Sequence, residues 1–238
     1  DLFSLSHNRE KIKELASGQL KDEANAWFVG EPFKVFYDYK KEGIWQLGEE
    51  AAAAANGQEP GDIKVQDVDG NGVITTDDRI IYSQRPDVTF GFNNTFNYKG
   101  FDLSVFLYAR LGQWIAYDYN TTYRINALEN GGNVDYWTPE NPTNAFPRPN
   151  KSKSYTQVTY YSTLKYEDGS FFKIRDITLG YTFKPELLKH LNLSRLRVYA
   201  TAKNFFTFSK IDNYDPEQGG SISFPMTKQL VFGLNVEF

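Results

Sequence analysis

The chain has 238 residues, room for one or two domains at roughly 150 residues each, and 26 Lys and Arg against 30 Asp and Glu give a formal charge of -4. It contains no cysteine, which excludes a disulfide framework, a thiolate zinc site and a cysteine nucleophile. A mildly acidic chain without basic clusters is a poor nucleic-acid binder, and the absence of any apolar run of about 18 residues excludes a membrane-spanning helix but not barrel strands, whose apolar positions alternate.

The chain opens Asp1-Leu2-Phe3-Ser4, without Met and without the basic and apolar regions of a signal peptide, and is expected to be a piece of something longer. A strand end is predicted within Phe3 to Lys13. Phe33 to Tyr39 reads as a strand, and Gly43 to Leu47 as its short continuation. Glu49 to Ala55 (EEAAAAA) predicts a short helix stopped by Asn56-Gly57.

From residue 88 onward the pattern is strict alternation. Phe90, Phe92, Phe96 and Tyr98 share one face of Val88 to Tyr98. Phe101, Leu103, Val105, Leu107, Ala109 and Leu111 share one face of the next run. The link Tyr98-Lys99-Gly100-Phe101 joins the two runs as a hairpin. Further strands are predicted at Phe171 to Phe183, Leu196 to Phe208 and Gln229 to Phe238. Short connections (98–101, 184–194) alternate with long ones rich in Gly, Asn and Pro (112–170, 209–228), so all short turns fall at one end of an up-and-down sheet.

Two architectures produce such strands. In a soluble sandwich the apolar faces pack on a second sheet. In a transmembrane barrel strands of about 10 residues turn apolar side chains to lipid and polar ones to the lumen, with aromatic girdles at the interfaces. The loop asymmetry and the aromatic cluster at the short-turn end (Phe96, Tyr98, Phe101, Tyr181, Phe183, Phe238) favour the barrel. Five secure strands cannot close one, since an unclosed sheet in lipid leaves two edges of unsatisfied N–H and C=O groups. On this reading the chain is one part of a larger barrel.

Asp67 to Asp78 (DVDGNGVITTDD) follows calcium-loop spacing. Asp67, Asp69 and Asn71 would supply side-chain oxygens, Val73 its carbonyl, Thr75 a direct or water-mediated contact, and Asp78 the last carboxylate, one methylene shorter than the usual Glu. Gly72 permits the sharp turn and Ile74 is the hydrophobic anchor. Hard oxygen ligands point to Ca2+ first and Mg2+ second, in a structural role. An acidic turn without metal is the competing reading, because Asp, Asn and Gly are common turn formers.

Trp114, Tyr117, Tyr119, Tyr123, Tyr136 and Trp137 crowd the longest loop, where they suit either substrate stacking or packing of the loop on itself. His7 and His190 are read as surface residues, and Arg175 and Asp176 as a ladder or lumen pair. The dipeptide Glu49-Glu50 complements the helix dipole. Neither HExxH, GxSxG, a P-loop nor GxGxxG occurs, so no enzyme is expected.

Several stretches together resemble the C-terminal portion of the SusC/RagA family of TonB-dependent outer-membrane transporters. They are Tyr39-Lys40-Lys41-Glu42-Gly43-Ile44-Trp45-Gln46; Gly61-Asp62-Ile63 leading into DVDGNGVITTDDR (Asp67 to Arg79); PDVTFG (Pro86 to Gly91); and Tyr98-Lys99-Gly100-Phe101-Asp102-Leu103-Ser104. Phe172 to Tyr181 (FKIRDITLGY), RVYATAKNFF (Arg197 to Phe206) and Tyr214-Asp215-Pro216-Glu217 complete the set. The resemblance implies an all-β fold: antiparallel up-and-down strands forming the C-terminal segment (1–238) of a 22-stranded barrel in the outer membrane of a Gram-negative bacterium. It places the metal loop (67–78) among long extracellular loops, and the N-terminal plug and TonB box outside these residues. The implied partners are the remaining strands and the plug, a SusD-like surface lipoprotein, TonB acting through the plug, outer-membrane lipid, and a glycan or oligopeptide cargo. Trp114, Tyr117, Tyr119, Tyr123 and Trp137 are then substrate contacts, and Phe238 resembles the terminal aromatic read by the barrel assembly machinery. Two other functions remain: a soluble, calcium-stiffened β-rich module that binds glycans, and, less favoured, an enzyme.

Overall fold

The computed structural model describes residues 1–123, 125 and 132–238. Its frame is one antiparallel six-stranded sheet: β1 (Leu2–Ser6), β2 (Val88–Tyr98), β3 (Phe101–Leu111), β4 (Phe171–Thr182), β5 (Arg195–Ser209) and β6 (Gln229–Glu237), paired in chain order. The hairpin of β2 and β3 has the limits that alternation predicts, because its turn chemistry is local. Lys99 and Gly100 both take left-handed φ (+48° and +89°), the two-residue turn whose twist matches that of the strands. A Cβ on Gly100 would lie 2.7 Å from the Thr182 carbonyl oxygen.

The first predicted strand is corrected: it is short, and its partner lies 80 or more residues away, with Phe3 opposite Phe92 and Leu5 opposite Phe90. Beyond Ser6 the chain leaves the sheet, held by a 2.6 Å hydrogen bond between His7 Nδ1 and the Asp87 carbonyl oxygen. The third long run is not one unbroken alternation. The register shifts between Ile174 and Asp176 against both neighbours, and Asn204 on β5 adopts φ +58°. One extra residue on a strand re-aims the side chains that follow it. Ile174 opposite Leu107 and Ile177 opposite Val105 therefore share a face despite their odd spacing.

Register assigns the two faces. One carries Phe3, Phe92, Phe96, Leu103, Val105, Leu107, Ile174, Ile177, Leu179, Phe206, Phe232 and Leu234. No described residue covers it at its exposed positions: Phe232 is 74% exposed and Leu234 68%, while Phe92, Leu103 and Leu107 are only half-buried. No second sheet faces this one among the described residues, so the sandwich reading, which needs Leu103 and Leu234 in a common core, fails. Aromatic rows bound the face at both ends, with Tyr98, Phe101 and Tyr181 at the short turns and Phe172, Phe206 and Phe208 at the long loops. Eleven residues of strand rise about 33 Å, which a tilt of about 40° reduces to about 25 Å, the height of an outer-membrane apolar band.

The opposite face is polar and cross-linked. Arg197 makes a two-pronged pair with Asp102 (2.8 and 2.5 Å), and the Thr178 and Thr201 hydroxyls bond at 2.8 Å. Glycines make room for this layer. A Cβ on Gly180 would collide with Arg197 and Asp102, and one on Gly233 with the Tyr199 ring.

The conventional hydrophobic core lies in the connections. Ile44, Ile63, Val65, Trp137, Tyr161 and Leu164 form a buried cluster at the long-loop end. Four two-stranded ribbons frame this layer: Lys21–Asp22 with Trp27–Phe28, Val35–Tyr39 with Arg79–Ser83, Lys41–Ile44 with Ile63–Val65, and Trp114–Ala116 with Tyr166–Asp168. The predicted continuation at Gly43 to Leu47 is thus a separate strand, Lys41–Ile44, with its own partner. The Ala-rich helix runs Glu50–Ala55, its first turn closed by Glu50, which accepts from the Gly48 amide.

Candidate functional site

The acidic loop is held closed by its own backbone. Asp67 accepts from the Gly70 amide (2.8 Å) through one oxygen and from the Gly72 amide (2.7 Å) through the other. Asp69 accepts from the Asn71 amide, and Asn71 Oδ1 from the Val73 amide. Asp78, with 0% of its surface exposed, accepts from the Val68 and Thr75 amides at 2.7 Å each and reciprocates the Thr75 cap of the following turn. These amides, led by that of Thr75, hold the Asp78 carboxyl below the usual carboxylate range. One oxygen from each of Asp67, Asp69 and Asp78 falls within a 4.8 Å cluster. Each such oxygen keeps a lone pair beyond its amide bond, so the donor set fits a hard divalent cation. Ile74 packs on the loop-layer core, and its amide donates to Asn56 Oδ1 (3.0 Å), which ties the loop to the end of the short helix.

The loop aromatics divide into two groups. Trp137 is 4% exposed, and its indole N–H donates to Gln46 Oε1 (2.8 Å). Tyr123 is buried with its hydroxyl on the Pro147 carbonyl oxygen. Tyr117 is buried beside Ile115 and Ile211, and burial pushes its phenol up to about 12. Trp114 and Tyr119 are half-buried, Trp114 edge-on to Tyr82 and Tyr119 against Tyr117 and Tyr214. Tyr136 is exposed and lines neither cluster. A cavity of about 380 Å3 opens beside Trp114, between Tyr82, Tyr166, Phe146, Lys41 and Glu167. Burial lowers the Lys41 ammonium and raises the Glu167 carboxyl, and Asn120 donates to Glu167 at 3.0 Å.

Arg175 and Asp176 do not pair with each other. The bulge sends Arg175 to Glu217 (3.2 Å) and Asp176 to Lys203 (3.6 Å). Sequence reasoning missed the neighbour that matters more. Lys173, on the polar face opposite Tyr108 and Thr207, is fully buried between Asp215 (2.6 Å) and Glu217 (2.8 Å). The only signal available was a lysine set between Phe172 and Ile174 in a strand; its partners lie more than 40 residues away. His190 lies on an exposed turn, as expected.

An antiparallel wall with an apolar face that no second sheet covers among the described residues, bounded by aromatic rows and carrying ion pairs on its other face, is a segment of a membrane β-barrel. No protein-family model matches the chain. It is 30% identical over 99% of its length to TonB-dependent receptor P3 of Formosa agariphila, of which it covers 26%. It is 31% identical over 72% of its length to TonB-dependent receptor SusC of Bacteroides thetaiotaomicron, of which it covers 17%. Among solved structures, the RagAB peptide transporter superposes over 99% of the chain and 27% of its own with a TM-score of 0.74 at 23% identity. The RagAB peptide importer in its open-open state covers 99% of the chain and 26% of its own, with a TM-score of 0.71 at 25% identity. The chain belongs to the SusC/RagA type of TonB-dependent receptors, as a segment spanning about a quarter of the length of the first relatives it matches. Receptors of this type are outer-membrane β-barrel proteins of Gram-negative bacteria, and these relatives are receptors and transporters rather than enzymes.

Proposed function

We propose that the chain is the C-terminal wall segment of a 22-stranded outer-membrane importer that takes up glycans or oligopeptides with energy delivered by TonB through a plug, and that a SusD-like lipoprotein closes over the long-loop end. The observation that carries this reading is the apolar face of the sheet, faced by no second sheet among the described residues and bounded by two aromatic rows. In water such a face is an aggregation surface; in a bilayer it is at equilibrium with its solvent. The long-loop end, with its packed aromatic core, would carry cargo and lipoprotein contacts, and of the five aromatics read as substrate contacts the half-buried Trp114 and Tyr119 keep the most surface to offer. The test is to express the full-length receptor carrying this segment. It should fractionate with the outer membrane, migrate as a heat-modifiable barrel, co-purify with a surface lipoprotein and support uptake only in cells with TonB. A monodisperse, detergent-free monomer that binds glycans would instead establish the soluble module.

In the same reading Asp67, Asp69, Asn71, Val73, Thr75 and Asp78 hold Ca2+, or less readily Mg2+, as a structural ion. Chelation is expected to open the 67–78 loop to proteases while the barrel strands stay protected. Unchanged cleavage after chelation would leave the loop as a metal-free acidic turn.

A further inference from the structure

Two of the stretches that carry the family resemblance are Phe172 to Tyr181 and Tyr214 to Glu217. The structure joins them. After β5 the chain folds back along the polar face of the sheet. Asp215 caps a single turn, Pro216–Gln218, by accepting from the Glu217 amide (3.0 Å), and Pro216 is buried. Both carboxylates close on the Lys173 ammonium, with side-chain exposures of 0% for Lys173, 11% for Asp215 and 10% for Glu217. Arg175, its guanidinium over the Tyr108 ring, supplies the second cation to Glu217, so two cations meet two carboxylates. Further along, the Gly220 carbonyl oxygen accepts from the Asp118 amide (3.0 Å), and Ile211 and Tyr214 pack on Ile115, Tyr117 and Tyr119. Gly220 approaches the Ala116 carbonyl so closely that no side chain fits there.

We propose that residues 211–220 form an inward strap at the mouth of the barrel, and that Lys173 is the residue that positions it. Electrostatics give Lys173 this role. With Lys173 in place the two carboxylates are neutralised in a nearly dry site. With it removed they repel each other, and only Arg175 remains to pair with Glu217. The strap is pinned at its middle to the wall and at its end to the Trp114 loop, so it narrows the passage at the long-loop end by a fixed amount. The proposal rests on the importer reading for the direction of traffic but not for the geometry of the lock.

The test uses the full-length receptor in membranes. In Lys173→Met, amide exchange across 211–220 should become at least about tenfold faster, with β4 and β5 unchanged. Lys173→Arg should stay near wild type. Glu217→Gln, which leaves every strand residue intact, should give an intermediate rate and decides the matter if Lys173→Met does not assemble. In a Ser104→Cys background, with that residue on the polar face, a polymer-linked maleimide added from outside should react about tenfold faster once Lys173 is Met, and a compact maleimide should not. Unchanged exchange across 211–220 in a barrel that still migrates as heat-modifiable overturns the strap and leaves the importer reading standing. An unmodified receptor that shows no heat-modifiable form sinks the importer reading itself.

Discussion

The six-stranded sheet and the loop layer invert the usual division of labour. In the sheet, the most regular part of the molecule, large apolar side chains such as Phe232 and Leu234 stand in the open. In the loops, nominally the irregular part, Ile63, Trp137 and Leu164 make a close-packed core. The difference identifies two solvents. The loop layer is arranged as a water-facing domain, with its oil inside. The sheet is arranged for a medium that replaces the oil, with its charges inside and paired. Hydrogen bonding holds the sheet in both media, but only hydrocarbon makes its exterior favourable.

Mutations on each side of this divide separate the two environments. The largest effect belongs to the loop core: Trp137→Ala should cost about 3–5 kcal/mol by cavity formation and leave Gln46 Oε1 without its donor. Limited proteolysis should report it within the loops in detergent and in lipid alike, with the strands still protected. Next comes Phe232→Arg, expected to cost about 2–4 kcal/mol near the middle of a bilayer and far less in a soluble protein. Denaturant titration of barrel assembly into liposomes measures it, and indifference of assembly to this change would collapse the contrast. On the polar face Gly233→Ala should cost about 1–3 kcal/mol by driving a methyl group into Tyr199, and Gly233→Ala with Tyr199→Phe should recover only part of it, because the methyl group strikes both the hydroxyl and the ring carbon that carries it.

The smallest effect tests electrostatics in the loops. Burial raises the Glu167 carboxyl, so the folded state binds its proton more tightly than the unfolded chain does. Stability therefore falls as pH rises from the ordinary glutamate range through the raised folded value, and is flat above it. Glu167→Gln should stabilise the loop layer by less than about 1 kcal/mol at neutral pH, with the gain fading as the medium is acidified below that window. Thermal melts of loop protection at several pH values read it directly.

How much of this was legible depends on how local the signal is. The hairpin of β2 and β3 was readable to the residue because alternation, turn type and strand length all lie within 24 residues. The five long strands followed from the same period of two. The acidic loop was equally local in its spacing, and Gly72 takes the left-handed φ (+81°) of a sharp turn. β1 was only half-legible, since five residues paired across 80 or more leave little periodic trace. The bulge at Arg175 was invisible, because an extra residue changes register without changing composition. The Lys173 lock was hidden for another reason: neither the lysine nor Tyr214-Asp215-Pro216-Glu217 means anything until the fold superimposes them. The ribbons of two or three residues were missed because segments that short have no period at all.

β6 ends the sheet on one side and β1 on the other, each with a row of amides and carbonyls facing no strand among the described residues. In a low-dielectric slab those groups have nowhere to go but another chain segment. The consequence concerns cooperativity. Melting cannot begin at one hairpin and spare its neighbours, since every strand removed creates two new seams. The closed circuit, and no arc of it, is then the smallest object with a melting point of its own.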